Sequence, residues 1–372
     1  MAEFNKNSAE ASATQSRRRF IQAAGAAGTF ITLAGCTGNG DDDAAPADDT
    51  EPADDADGPQ QEDLTVGAAP SGSTMYNTWQ GILRATEERD SFVNLTVQET
   101  PGGEANLRLY EEGQIDIGGG SLHDINQVMN REGPFAENPV NKLVLQAYRY
   151  AVMYLYGLAV DGSGIETYDD LRDANVVTWP IAPGTSVRAF TGYLWEQPEI
   201  DLWDDIDRSD ISPDDIAGAV EEGRVDAIIV YNSGEVFLPD YYQQIDARSD
   251  LYSIEMGDDM KSAMNDMGVL TENFEPFGFE QDLDPVDAWT LDFQVGFGDT
   301  VSHEAGYELT MIAAEETDII QDAQAAFPSS PEEMSEAVIA DEGLPVHPGV
   351  AEAYEELGVF DDSWTVGWET DF

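Results

Sequence analysis

From residue 64 onward, short apolar runs alternate with amphipathic stretches, and turns rich in Gly, Ser or Thr separate them. Residues 64–69 read as a strand, 76–89 as a helix, 93–99 as a strand, 103–112 as a helix and 115–118 as a buried strand. Such βαβ grammar predicts an α/β fold: an open, largely parallel sheet with helices on both faces. Ligands of these sheets bind at the carboxyl ends of strands, against helix N-termini. About 310 residues follow the N-terminal tail, which is enough for a sizeable core and predicts two lobes.

The turns after the first three strands carry Ser71, Ser73, Thr74 and Tyr76, then Thr100 and Gly102, then Ser121 and Asp124. Each opens a helix, leaving backbone N–H groups and hydroxyls at a positive dipole end. Singly, each is a plain N-cap. In series after consecutive strands, they predict a ligand site suited to a carboxylate.

The N-terminal region points to export. Arg17, Arg18 and Arg19 precede Phe20 and a weakly apolar run to Leu33, the pattern of a twin-arginine signal over residues 1–35. That run is too short and too rich in Ala and Gly to span a bilayer, which takes roughly 20 apolar residues. Leu33-Ala34-Gly35-Cys36 resembles a lipobox, in which Cys36 is lipidated and becomes the new N-terminus; the alternative is an ordinary small-residue cleavage site with an incidental Cys. Cys36 is the single Cys of the chain, so no intramolecular disulfide forms and the core alone stabilises the fold. Residues 36–63 hold eleven Asp or Glu and no Lys, Arg or aromatic residue, and are expected to be a disordered, lipid-anchored acidic linker. The expected location is the outer face of the cell membrane, with membrane contact only through lipid.

The whole chain carries 75 acidic against 16 basic residues, a net charge of -59. That charge argues against nucleic acid or anionic lipid as a partner. The carboxylates form no EF-hand loop, and no metal or other cofactor is expected. A surface of this kind fits a halophile, since molar salt screens the self-repulsion within about 3 Å.

An enzyme would need a base. The three His are His123 beside Asp124, His303 beside Glu304, and His347 before Pro348. No Gly-x-Ser-x-Gly elbow, His-Glu-x-x-His or Cys cluster accompanies them, so no catalysis is expected; His123-Asp124 is the one pair that merits a test, and His347 reads as a structural hydrogen bonder.

Seven motifs, in order, resemble one family. They are Ser71-Gly72-Ser73-Thr74-Met75-Tyr76, residues 100–107, Glu112-Gly113-Gln114-Ile115-Asp116, Asp161-Gly162-Ser163-Gly164-Ile165 with Tyr168-Asp169-Asp170-Leu171-Arg172, Ala182-Pro183-Gly184-Thr185-Ser186, Glu222-Gly223-Arg224-Val225-Asp226-Ala227, and Gly343-Leu344-Pro345-Val346-His347-Pro348-Gly349. They are similar to elements of TAXI family receptors, the extracytoplasmic solute-binding subunits of TRAP transporters, over nearly all of residues 64–360. The resemblance implies an α/β, two-lobe, periplasmic-binding-protein-like (type II) clamshell with hinge strands. Lobe one would comprise 64–158 and 291–372, and lobe two 159–290, with 152–160 crossing out and 289–296 returning through the hinge. It also implies a monomer that captures a small organic anion, carboxylate or amino-acid-like, closes, and hands it to an ion-coupled TRAP-type membrane permease. A solute-binding protein of an ABC importer, or an extracellular hydrolase, is the alternative.

Departures concern the ligand. Pro101, Gly103 and Ala105 stand where the family carries Gly, Ser and Glu, and Ser186 where it carries Gly. The candidate ligand residues are therefore Ser71, Ser73, Thr74, Tyr76, Thr100, Gly102, Ser121 and Asp124 from the first lobe, and Pro183, Gly184, Thr185, Ser186, Asn232 and Ser233 from the second. Arg149 and Arg188 are expected to be either a carboxylate fork or surface ion pairs.

Overall fold

The computed structural model describes residues 60–367 apart from 143, 180–184 and 341–342. The signal, Cys36 and nearly all of the linker fall outside the described residues, as do Pro183 and Gly184. β1 (Glu62–Gly67), α1 (Thr74–Glu88), β2 (Val93–Gln98), α2 (Gly103–Glu111), β3 (Ile117–Ser121) and α3 (Leu122–Asn130) follow the predicted order, with ends moved by no more than three residues. β1 opens inside the segment expected to be linker because its acidic residues are held: Glu62 accepts from Ser302 and Asp63 from Asn94.

β4 (Leu145–Val160) leads out of the first lobe. The second lobe holds β5 (Val177–Thr178), α4 (Ser186–Trp195), α5 (Pro213–Glu221), β6 (Ala227–Ser233), α6 (Asp240–Asp246), β7 (Leu251–Ser253), α7 (Asp258–Asp266) and β8 (Thr271–Phe274). β9 (Val286–Phe297) returns, and α8 (His303–Glu315), α9 (Thr317–Ala323), α10 (Pro331–Ser335) and α11 (Pro348–Leu357) complete the first lobe.

One nine-stranded sheet runs through both lobes in the order β2-β1-β3-β9-β4-β6-β5, with β7 on β4 and β8 on β9. Only β1–β2, β1–β3 and β5–β6 pair in parallel; β3–β9, β9–β4, β4–β6, β4–β7 and β8–β9 are antiparallel. The sheet is therefore mixed, not largely parallel. The hinge is the reason: β4 and β9 traverse it in opposite directions, and both lobes must pair with them. At 16 residues β4 is about 50 Å long, too long for one lobe, and it begins well before the expected crossover.

β4 and β6 are apolar on both faces because both faces are covered. Met153, Leu155 and Ala159 of β4 and Ala227 and Ile229 of β6 join the main core, which reaches back to Trp79, Ile82 and Val66 in the first lobe. The alternate residues Tyr156, Leu158, Ile228 and Val230 pack with Ile216, Tyr242 and Ile245 of α5 and α6. Each fully buried large apolar side chain contributes about 1.5–3 kcal/mol. In β3, glycine is a packing requirement: a Cβ on Gly119 would lie 2.5 Å from the Gln294 carbonyl oxygen. Among the described residues no helix is long and apolar enough to cross a membrane.

Candidate functional site

Register across the hinge defines one face of the sheet. Directly opposed residues of an antiparallel ladder share a face. Ser121 of β3 faces Phe293 of β9, which faces Ala151 of β4; one step along, Leu291 faces Met153, which faces Ser233 of β6. The result is an apolar floor of Phe293, Ala151, Leu291 and Met153, with a serine at either end. Tyr150, at the ladder irregularity between Arg149 and Ala151, has its ring 5.8 Å from that of Phe293.

Two helices from different lobes meet above the Ser121 end. At the start of α3, a capping box forms: Ser121 Oγ accepts from the Asp124 N–H, while Asp124 Oδ2 accepts from Ser121 N–H at 3.0 Å and from Ser121 Oγ–H at 2.8 Å. At the start of α4, Ser186 Oγ–H reaches across the cleft and donates to the same Oδ2 at 2.7 Å. The approach depends on two glycines. A Cβ on Gly103 would lie 2.8 Å from Asp124 Oδ2 and 3.3 Å from Ser186 Oγ, and one on Gly120 would lie 3.1 Å from Asp124 Oδ2. Gly103 and Ser186, two of the four departures noted in the sequence, are thus neighbours in space.

His123 completes the seam. Its ring packs against Phe190 at 5.2 Å and Tyr193 at 4.8 Å, both on α4, and burial pushes its pKa down against the opposing charges of Asp124 and Glu132. Burial also pushes the Tyr150 hydroxyl well above its ordinary range, with the Asp124 charge adding to the effect. Among the described residues, none is a hydrogen-bond partner of the buried His123 Nε2, Thr185 Oγ1 or Ser233 Oγ. Outside the seam, a groove of ≈ 510 Å³ runs between Gln127 and Glu132 on one side and Arg188, Tyr193 and Glu196 on the other.

The sequence-derived candidates divide by position. Ser121, Asp124 and Ser186 meet at the cleft, Thr185 occupies the N-cap position of α4 beside them without a side-chain capping bond, and Ser233 closes the floor. Ser73 caps α1 through the Tyr76 N–H, with Thr74 buried and Tyr76 half-buried after it. Thr100 is buried and bonded to Asn106, Gly102 precedes α2 at φ 132°, and the exposed Ser71 bonds Glu99.

Arg149 and Asn232 lie on the opposite face of the sheet. Asn232 accepts from Tyr156 Oη–H at 2.6 Å and donates to the carbonyls of Phe237 and Phe277, so its amide is spoken for. Arg149 is held by Asp292 at 2.7 Å and Glu336 at 2.5 Å; Arg188 pairs with Asp210 and lies over the Trp179 ring. Both guanidiniums are thus in intramolecular ion pairs. Tyr150, Phe190 and Phe293 are not legible from sequence, since nothing in their residue type separates them from ordinary core positions.

His347 caps α11, accepting from the Gly349 N–H at Nδ1, with Nε2 3.1 Å from the Val301 carbonyl oxygen. Among the described residues no group of three or more His, Cys, Asp or Glu could hold a metal ion.

Solved structures similar to the chain include the periplasmic aliphatic sulphonate binding protein of Escherichia coli, at 15% identity and TM-score 0.38 over 80% of this chain and 83% of that one. Another is a possible phosphate binding protein from Planctomyces limnophilus, at 11% identity and TM-score 0.40 over 81% and 99%. At this level of similarity neither ligand transfers to the chain. No curated protein matches it. The βα succession, the hinge strands and the cleft all lie within residues 66–358, the stretch matched by the NMT1-like family model, and the chain belongs to that family.

Proposed function

We propose that the chain is an extracytoplasmic solute receptor: a two-lobe clamshell that takes a small solute between its lobes and closes on it without chemistry. One observation carries the reading. The Asp124–Ser186 hydrogen bond joins helices of different lobes over a floor to which both lobes contribute, so a solute there would be held by both lobes and released only by hinge opening. The seven ordered motifs support a receptor of the TAXI type, which would deliver its solute to a TRAP-type permease, and residues 1–36 support export with a lipid anchor on Cys36. A hydrolase is the weaker reading, because the Asp124 oxygen that would orient a base is occupied by Ser121 and Ser186, and His347 serves backbone groups.

The test is direct. Protein purified under native conditions in molar salt is denatured, and the released small molecules are identified by mass spectrometry. A single species at about one per chain, which raises the melting temperature when added back to stripped protein, supports the reading. Turnover of that species by the protein would overturn it.

A further inference from the structure

Resting on the receptor reading above, we infer that the cleft selects solutes bearing a protonated nitrogen, an ammonium or guanidinium group, and not an organic anion. Asp124 is 4% exposed, and its hydrogen bonds come from neutral donors only: the Ser121 N–H and the hydroxyls of Ser121 and Ser186. Among the described residues no Arg, Lys or His forms an ion pair with it. The arginines on β4 and α4 are held elsewhere, Arg149 by Asp292 and Glu336 and Arg188 by Asp210.

A buried carboxylate without a counter-cation is costly, and the α3 dipole offsets only part of that cost. An entering anion would meet this carboxylate at the converging helix ends and raise the cost further. An entering cation supplies the missing charge. Asp124 thus stands where the turn pattern alone led us to expect the solute's own carboxylate.

Two other buried groups are placed for a donor-bearing solute. Ser233 Oγ is buried at the far end of the floor, and His123 Nε2 belongs to a ring 7% exposed in the seam; neither has a hydrogen-bond partner among the described residues. Between Asp124 and Ser233 the floor is Phe293, Leu291 and Met153, with the Tyr150 ring 5.8 Å from that of Phe293. Ser121 and Ser233 are three strand spacings and a two-residue step apart, about 16 Å, which suits a cationic head on a short apolar body.

The experiment uses the full folded protein, stripped by urea and refolded in molar salt. It is equilibrated with an equimolar mixture of phenethylamine, agmatine, putrescine, leucine, arginine, succinate, 3-phenylpropionate, ethanesulfonate and 2-phenylethanol, and retained compounds are read by mass spectrometry. Every retained compound should carry a protonated nitrogen. Asp124→Asn, which keeps a helix-capping side chain, should weaken retention of the best binder about 100-fold. Retention of succinate, 3-phenylpropionate, ethanesulfonate or 2-phenylethanol overturns the inference while leaving the receptor reading intact, as does an Asp124→Asn affinity within about threefold of the parent. Retention of nothing in the mixture overturns the inference; it overturns the receptor reading too if native protein also releases no solute. Should Asp124→Asn fail to fold, the parent's retention pattern still decides.

Discussion

Ser186 in the second lobe donates a 2.7 Å hydrogen bond to Asp124 in the first, and Gly103 leaves the space in which the two meet. The contact joins the lobes away from the covalent hinge. It acts on the balance between open and closed forms more than on the stability of either lobe.

Ser186→Ala should therefore shift that balance. A neutral hydrogen bond contributes about 1 kcal/mol net, so the closed population should fall severalfold while the melting temperature moves by only a few degrees. Small-angle scattering on ligand-free protein checks this: the radius of gyration should rise in Ser186→Ala. An unchanged value would mean that the bond does not hold the lobes together.

Gly103→Ala tests the packing beneath. The added methyl would approach the Gly120 Cα at 2.9 Å as well as Asp124 Oδ2 at 2.8 Å, and the first of these is backbone that cannot swing aside. Overpacking of this kind costs about 1–3 kcal/mol. Urea titration should show the midpoint falling by the corresponding amount. Gly218→Ala, where an added Cβ meets nothing within 4 Å, should not be destabilised.

The order of elements up to Ser121 is legible in the sequence because apolar spacing alone sets it. The hinge is not. Arg149 interrupts the apolar run at the start of β4, and ladder irregularities fall between Gln146 and Arg149 and between Arg149 and Ala151. A one-residue slip reverses which side chains face the cleft. Residue type points to Arg149, Asn232 and Ser233 alike, while the register keeps Ser233 on the floor and turns Arg149 and Asn232 to the opposite face. The loops around Ser121 and Ser186 were legible because their chemistry is local. Their meeting was not, since two lobes and two glycines create it.

Arg149 and Arg188 should behave differently when removed. Asp292, the partner of Arg149, is largely buried; desolvation raises its pKa and Arg149 opposes that rise. Arg149→Ala leaves this carboxyl without a counter-ion and should destabilise the fold by about 3 kcal/mol. Asp210, the partner of Arg188, is 57% exposed, so Arg188→Ala should cost under about 1 kcal/mol. Paired denaturation curves decide. Equal losses would remove the distinction between the two sites.

His347 gives the chain a pH-dependent stability whose sign follows from burial. Desolvation lowers its pKa from 6.5 to about 4, against the opposing hydrogen bond to the Val301 carbonyl, so the folded protein holds the ring neutral. The unfolded chain binds a proton at about pH 6.5, and the folded chain does not until about pH 4. Stability is thus complete above about pH 6.5, falls as the pH drops through the window between these values, and levels off below it, for a total of about 3 kcal/mol. The ring has no room to relax, because a Cβ on Gly306 would lie 2.3 Å from His347 ring atoms. Replacing His347 by Gln removes the titrating group while keeping a side chain that can hydrogen-bond. Denaturation midpoints at fixed molar salt between pH 7.5 and 4.5 should then fall less steeply for His347→Gln than for the parent. Parallel slopes would show that other groups carry the acid sensitivity.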